Sequence, residues 1–244
     1  SVLRQLVAWV GQENFMAGVR AYIAQHAWGN TELPDLMTEL EAVGLEPVRL
    51  RSTGCYVDIG TGELSVALRA DIDALPIQEA TGLEFSSQNP GVAHMCGHDI
   101  HTTVMLGVAT VLADLNRTSP LSGRVRVVFQ PAEEQLPGGA LTVIEQDVLE
   151  GVPRIFALHC EPKVDVGQVG TRIGAITSAS DTVRLRLSGA GGHTSRPHLT
   201  QDLVFAMAQI AINVPAILSR RIDVRSGVQV VWGEIGAGVA PNAI

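Results

Sequence analysis

The chain has 244 residues, 46% of them hydrophobic and 17% charged, and a formal net charge of −8. An acidic balance argues against a nucleic-acid binder, which needs a basic face for phosphates. No unbroken run of about 18 apolar residues marks a membrane span, and no basic start with an apolar stretch and small-residue cleavage site marks a secretory leader. In chain order, residues 1–43 read as helices. Leu3, Leu6, Val7 and Val10 share one face, and Phe15, Val19, Tyr22 and Ile23 repeat the pattern. The stretch His26-Ala27-Trp28-Gly29-Asn30 interrupts it. Leu33, Leu36, Met37 and Leu40 resume it, with Pro34 suited to a first turn and Gly44 to a stop. From residue 45 strands alternate with helices. Cys55–Ile59 and Leu64–Ala70 read as a hairpin turning at Gly60-Thr61-Gly62. A buried helix follows His98, and Arg124–Gln130 and Arg154–His159 read as core strands flanking a helix near Gly139–Leu149. The rhythm is βαβ.

Near residues 178–181 the texture changes again. Val183, Leu185 and Leu187 alternate with Arg184, Arg186 and Ser188, as in a strand with one wet face. A helix over about Gln201–Ser219 follows, kinked or ended at Pro215, and then a strand over Val228–Ile235. The fold class expected is α/β: a helix-covered mixed sheet over residues 44–177, a smaller α+β unit over 178–244 and a helical segment over 1–43. Three widely spaced cysteines, Cys55, Cys96 and Cys160, do not suggest a disulfide scaffold and fit a reducing, cytoplasmic setting.

Five clusters could carry chemistry. The densest is His94-Met95-Cys96-Gly97-His98-Asp99-Ile100-His101, whose Cys and His side chains suit zinc, manganese, nickel or cobalt. A surface histidine cluster capped by Asp99 is the plainer reading. Gln130-Pro131-Ala132-Glu133-Glu134 ends a strand, where open α/β sheets build sites. One carboxylate there could bind metal while the other moves a proton, or both could simply start a helix. His159 and Cys160 end another strand. Asp71 and Asp73 could be ligands, could orient a histidine or could form a turn. Gly189–His198 is glycine-rich but lacks the Lys-Ser/Thr of a phosphate loop; His193 there could donate to a developing oxyanion. No G-x-S-x-G elbow supports a serine hydrolase.

Leu68-Arg69-Ala70-Asp71-Ile72-Asp73-Ala74-Leu75-Pro76-Ile77 resembles the first signature of the aminoacylase/hippurate-hydrolase metallopeptidase family, which includes N-acyl-amino-acid amidohydrolases and indole-acetyl-amino-acid hydrolases. His94–His101, Gln130–Glu134, His159 and Gly189–His198 are similar to its next signatures in order and spacing, and Asp202, Arg220 and 232–244 continue the match. The resemblance implies two divalent metal ions (manganese, zinc, nickel or cobalt) held by Cys96, His98, Glu134 and His159, with the Cys96 thiolate bridging. It implies Glu133 as the base that deprotonates the attacking water and passes the proton to the leaving amine. His193 falls at the oxyanion-stabilising histidine of the lid, Asn242 at a lid asparagine that contacts substrate, and Asp73 at a position behind the ligands. The implied partner is a small N-acyl amino acid or peptide-like substrate, with no nucleic acid or membrane, and with homodimerisation through the lid.

Residues 1–42 depart from this pattern. Ser1–Leu6, Phe15…Tyr22 and His26–Asn30 resemble a helical segment of the aminopeptidase N family, but no H-E-x-x-H occurs, so that chemistry is not carried over. The sequence stops at Asn242-Ala243-Ile244, before the last histidine ligand of the resembled family, which leads us to expect weakened binding of one metal and impaired activity. The alternative expectation is an inactive fusion remnant or a non-catalytic interaction module.

Overall fold

A computed structural model describes residues 31–244. The helices read over residues 1–30, and with them the aminopeptidase-like segment, lie outside the described residues. The chain divides into two units, 1–171 and 172–244.

In the first unit, α1 (Leu33–Ala42) begins with proline in its first turn and a capping box between Glu32 and Asp35. It ends before Gly44, whose φ of 81° suits a residue without a side chain. Five strands form one mixed sheet: β1 (Val48–Arg49), β2 (Cys55–Ile59), β3 (Leu64–Asp71), β4 (Arg124–Gln130) and β5 (Ile155–Ala157), in the order β1-β2-β4-β3-β5. Helix α2 (His98–Thr118) links β3 to β4, and α3 (Gly139–Glu145) links β4 to β5. Strands β3, β4 and β5 are parallel, so their carboxyl ends share one edge, while β2 runs antiparallel to β4.

Side-chain alternation sorts the core into two layers. Cys55, Val57 and Ile59 of β2 join Val127 and Phe129 of β4 against Leu36 and Leu40 of α1 and Met105, Leu106 and Ala109 of α2. Val128 faces the other way, toward Val143 of α3 and Val148. On that second face Arg126 forks onto Asp58 with two contacts of 2.7 Å, donates to the Val148 carbonyl and covers the Tyr56 ring. These interactions satisfy a nearly buried guanidinium.

Three expectations in this unit need correction. Strands β2 and β3 are not a hairpin, because β4 lies between them. An apolar strand gains most at the sheet centre, where both faces are covered. The four residues after Ile59 therefore step across it, aided by Gly60 at φ 88°, where a Cβ would lie 2.6 Å from the Gly123 carbonyl oxygen. Strand β5 is an edge rather than a core strand: it pairs only with β3, and all three of its residues are exposed. The helix read to residue 149 ends at Glu145, followed by turns.

The second unit carries α4 (Leu203–Arg221), capped by the Asp202 carboxylate on the Phe205 N–H at 2.8 Å. The helix runs through Pro215, so the proline does not end it, and none of its residues is buried. Among the described residues it is the one helix long and apolar enough to cross a membrane by length and hydropathy, although no unbroken apolar run marks it in the sequence. Length and hydropathy alone are weak grounds for a span. The strands read over 183–188 and 228–235 are not formed: among the described residues neither segment has a pairing neighbour, and a strand without one does not hold. Extended pairing in this unit is confined to an antiparallel bridge between His193 and Ala243, flanked by reciprocal hydrogen bonds of Gly192 and Ile244. Gly191 permits it, since a Cβ there would lie 2.5 Å from the Ile244 carbonyl oxygen.

Candidate metal centre

The parallel strands and the start of α2 bring four sequence clusters to one edge of the sheet. Asp71 ends β3, Gln130 ends β4 beside it in register, and His159 follows β5. Helix α2 starts at His98 behind Gly97, whose φ of 83° makes the turn from Cys96 into the helix. His98 and His101 are three residues apart and therefore share a helix face; both are buried against the strand ends.

The hydrogen bonds fix the state of each imidazole. His98 Nδ1 lies 2.9 Å from the Asp73 carbonyl oxygen, which only accepts, so the proton is on Nδ1. His98 Nε2 is then a bare lone pair, and it is buried without a hydrogen-bond partner. His159 is similar: Nδ1 donates to the Cys160 carbonyl at 2.7 Å, and Nε2 faces Cys96 Sγ at 3.5 Å. His101 has the same tautomer but spends both of its nitrogens. Its Nε2 accepts the Cys160 main-chain N–H at 2.8 Å, so its proton is on Nδ1, donated to Asp71 Oδ1 at 2.5 Å.

The donors cluster. One ligand atom each from Cys96, His98 and His159 lies within 4.8 Å of the others, and the same holds for His98, Glu133 and Glu134. A third grouping, Asp71, His98 and His101, meets the same distance limit, but His101 has both nitrogens engaged and offers no lone pair. His94 joins none of these groups. Asp73 ties the set together: its Oδ2 accepts the Glu134 N–H at 3.0 Å, and its Oδ1 lies 3.3 Å from His98 Nδ1. Ala132, just before the two glutamates, holds a left-handed φ of 48°, a strained turn at the site.

This set fits a divalent cation. Zinc is bound by cysteine sulfur, imidazole nitrogen and carboxylate oxygen at about 2.0–2.3 Å, and an orphaned buried imidazole lone pair is costly unless something takes it. Electrostatics agree. Burial, and then the neighbouring Glu134 with Glu133 and Asp71 nearby, push the Cys96 thiol up to about 11. Burial opposes the charge of Asp71, but its hydrogen bond from His101 and the Arg69 guanidinium, which donates to Oδ2 at 2.7 Å, outweigh that and hold its carboxyl below the ordinary range. Arg69 also donates to Gln130 at 3.0 Å. A bound cation would reverse the effect on Cys96 and favour the thiolate.

The structure thus brings together Cys96, His98, Glu133, Glu134, His159 and Asp73. His193 and Asn242 lie in the second unit, where they are neighbours through the terminal bridge: the Thr194 N–H donates to the Asn242 carbonyl at 3.3 Å. His193 Nδ1 accepts the Ser195 main-chain N–H at 3.1 Å and lies 2.8 Å from the Ser195 hydroxyl, so its proton sits on Nε2. Sequence reading allowed Asp71 to orient a histidine but missed Arg69 and His101 as its partners. Two spacings signalled them: Arg69 and Asp71 at i, i+2 on one strand face, and His98 and His101 at i, i+3 on one helix face.

Imidazole, thiol and carboxylate donors thus gather at the carboxyl edge of a helix-covered sheet as a candidate divalent-metal centre. The chain belongs to peptidase family M20/M25/M40, whose model matches residues 67–240. It is 51% identical over 208 residues to a Rhodococcus jostii (strain RHA1) protein bearing a glutamate–cysteine ligase name, a match that covers 84% of this chain and 26% of that one. It is 38% identical over 207 residues to an N-acetyl-L-cysteine deacetylase of Bacillus subtilis (strain 168), covering 84% of this chain and 49% of the relative. Among solved structures, a dinuclear metal binding peptidase of the M20 family from Bacillus subtilis superposes with a TM-score of 0.57 at 37% identity, covering 66% of this chain and 47% of that one. The chain therefore spans half or less of the length of these proteins, and a match to a quarter of the ligase-named protein does not bring its name with it.

Proposed function

We propose that this chain holds the metal-binding part of an amidohydrolase that cleaves the amide bond of N-acyl amino acids. The observation that carries the reading is the orphaned Nε2 of His98, set with Cys96 and His159 on one side and with Glu133 and Glu134 on the other. The relative named for deacetylating N-acetyl-L-cysteine supports the substrate class. In our reading Cys96, His98, Glu134 and His159 would hold two divalent ions of manganese, zinc, nickel or cobalt. Bound there, the ions supply Lewis acidity and make water a better nucleophile at neutral pH.

The remaining steps belong to the chain. Asp73 fixes the His98 ring and the Glu134 main chain, which holds the turn that carries Glu133. Glu133 takes a proton from the water that adds to the amide carbonyl. It returns that proton to the nitrogen as the C–N bond breaks, leaving a carboxylate and a free amine. His193, with its proton on Nε2, is suited to donate to the oxyanion, and Asn242 to contact the substrate. We read residues 44–177 as the catalytic part and 178–244 as a lid that dimerises through the exposed apolar surface of α4. The three cysteines, all free, fit a cytoplasmic setting.

Hydrolysis of N-acetyl-L-cysteine with excess manganese or zinc tests the reading, alongside a bound-metal count. Turnover that Glu133→Gln abolishes without loss of metal supports it. Full metal occupancy with no turnover in the wild type makes the chain a non-catalytic module. Unchanged metal uptake in Cys96→Ala/His98→Ala overturns the site.

A further inference from the structure

We propose that His101, set by Asp71, is a positioning residue that aims His159 into the metal centre. This rests on the metal reading above only in what His159 is aimed at. His101 and Asp71 are both sealed from solvent, at 0% and 1% exposure. The Cys160 main-chain N–H can only donate, so the 2.8 Å contact requires a lone pair on His101 Nε2 and a proton on Nδ1, which goes to Asp71 Oδ1. Asp71 is held in turn by Arg69 through its other oxygen. A charged, buried chain thus ends on one main-chain amide.

That amide stands where the sheet stops helping. Strand β5 has three residues, its pairing with β3 ends at Ala157, and it is an exposed edge. Beyond it, Cys160 is gripped from both sides: His101 takes its N–H, and its carbonyl takes the His159 Nδ1 proton at 2.7 Å. Holding Cys160 therefore sets the ring of His159, which also meets the His101 ring edge-on at a centroid distance of 4.8 Å. Gly97 lets the start of α2 close over this point, since a Cβ there would lie 3.2 Å from Cys160 Cβ and 3.3 Å from its sulfur. His101 itself, with both nitrogens used, is excluded as a ligand.

The test combines nitrogen NMR on the metal-free chain with cobalt(II) titration. In the wild type, the His101 ring should carry its proton on Nδ1 and the His159 ring on Nδ1 as well. His101→Leu leaves the Cys160 amide unpaired and should scramble the His159 tautomer. It should also weaken cobalt binding, followed by the thiolate-to-cobalt absorption of Cys96 and by ion count, at least about tenfold, the usual effect of losing a group behind a ligand. His101→Gln places an acceptor oxygen near the Nε2 position and should restore binding to within about threefold of wild type, a readout that mere core filling would not produce. Wild-type affinity in His101→Leu, equal loss in the Leu and Gln variants, or a wild-type His101 protonated on Nε2 would each overturn the proposal. The last needs no variant to fold. If the wild type takes up no cobalt, the metal reading falls, while the NMR still decides whether His101 sets His159.

Discussion

Three histidines lie within a few ångströms of one another at the centre, and what each Nε2 meets separates their tasks. His98 leaves its Nε2 unpaired and His159 turns its Nε2 toward the Cys96 sulfur, whereas His101 spends both nitrogens on the scaffold. Spacing could nominate all of them but could not sort them, because the sorting depends on main-chain groups from β5 and from residue 73. At this scale Glu133→Gln should lower hydrolysis by about 10²–10⁴-fold while metal content stays unchanged, measured by initial rates and ion count. In the second unit, Ser195→Ala keeps the main-chain N–H and should leave the His193 proton on Nε2. Ser195→Pro removes that donor and should mix the tautomers, visible in nitrogen NMR.

Asp71 gives a pH prediction for the metal-free chain. Its native carboxyl sits below the ordinary value of about 3.9. The unfolded chain therefore takes up this proton first as pH falls. The stability the charge confers is complete above that ordinary value and is lost as pH drops through the lower native one. Urea melts of the wild type and Asp71→Asn should differ most at neutral pH and converge in strong acid.

Among the elements, those with a local cause were legible. Helix α1 announced itself by Pro34, its apolar face and Gly44, and α2 by its long apolar run. Pairing was not legible, since the neighbour of β2 comes from more than sixty residues downstream at Phe129 and Val127. Alternation at residues 183–188 predicted a strand, but an alternating segment becomes one only beside a partner. Amides of 183–188 and 228–235 should therefore exchange with solvent far faster than those of β2 and β4, read by hydrogen exchange. Gly139, at the start of α3, is a sharper probe of element packing. A Cβ there would fall 1.8 Å from the Pro131 carbonyl oxygen, and the Gly139 N–H donates to Ala132 at 2.8 Å. Gly139→Ala should cost about 1–3 kcal/mol in a urea melt and, by displacing the turn that carries Glu133 and Glu134, should loosen metal binding too.

For the molecule as a whole, the centre ties together β3, α2, the turn after β4 and the end of β5. A ligand that binds only the folded form should stabilise it by about 2.7 kcal/mol at a hundredfold excess over its Kd. Metal removal by a chelator should thus lower Tm for the first unit, and Cys96→Ala/His98→Ala should be insensitive to the same chelator in a thermal melt. Cys55, fully buried and pushed up to about 12, should resist alkylation until global unfolding, whereas the half-buried Cys96, pushed up to about 11, should be alkylated in the native, metal-free chain slowly at neutral pH and faster in alkali.

The insertion of β4 between β2 and β3 also bears on the order of folding. Strands β2 and β3, made in succession, cannot zip together, because their shared neighbour is made only after a further helix. Loop closure over that distance precedes the registration of β2 with β3 across β4, which raises contact order and slows the search. The donors from β3 and α2 thus emerge well before His159. A half-made chain holds loose thiol, imidazole and carboxylate groups able to scavenge metal out of register, so during synthesis the timing of ion capture matters as much as affinity.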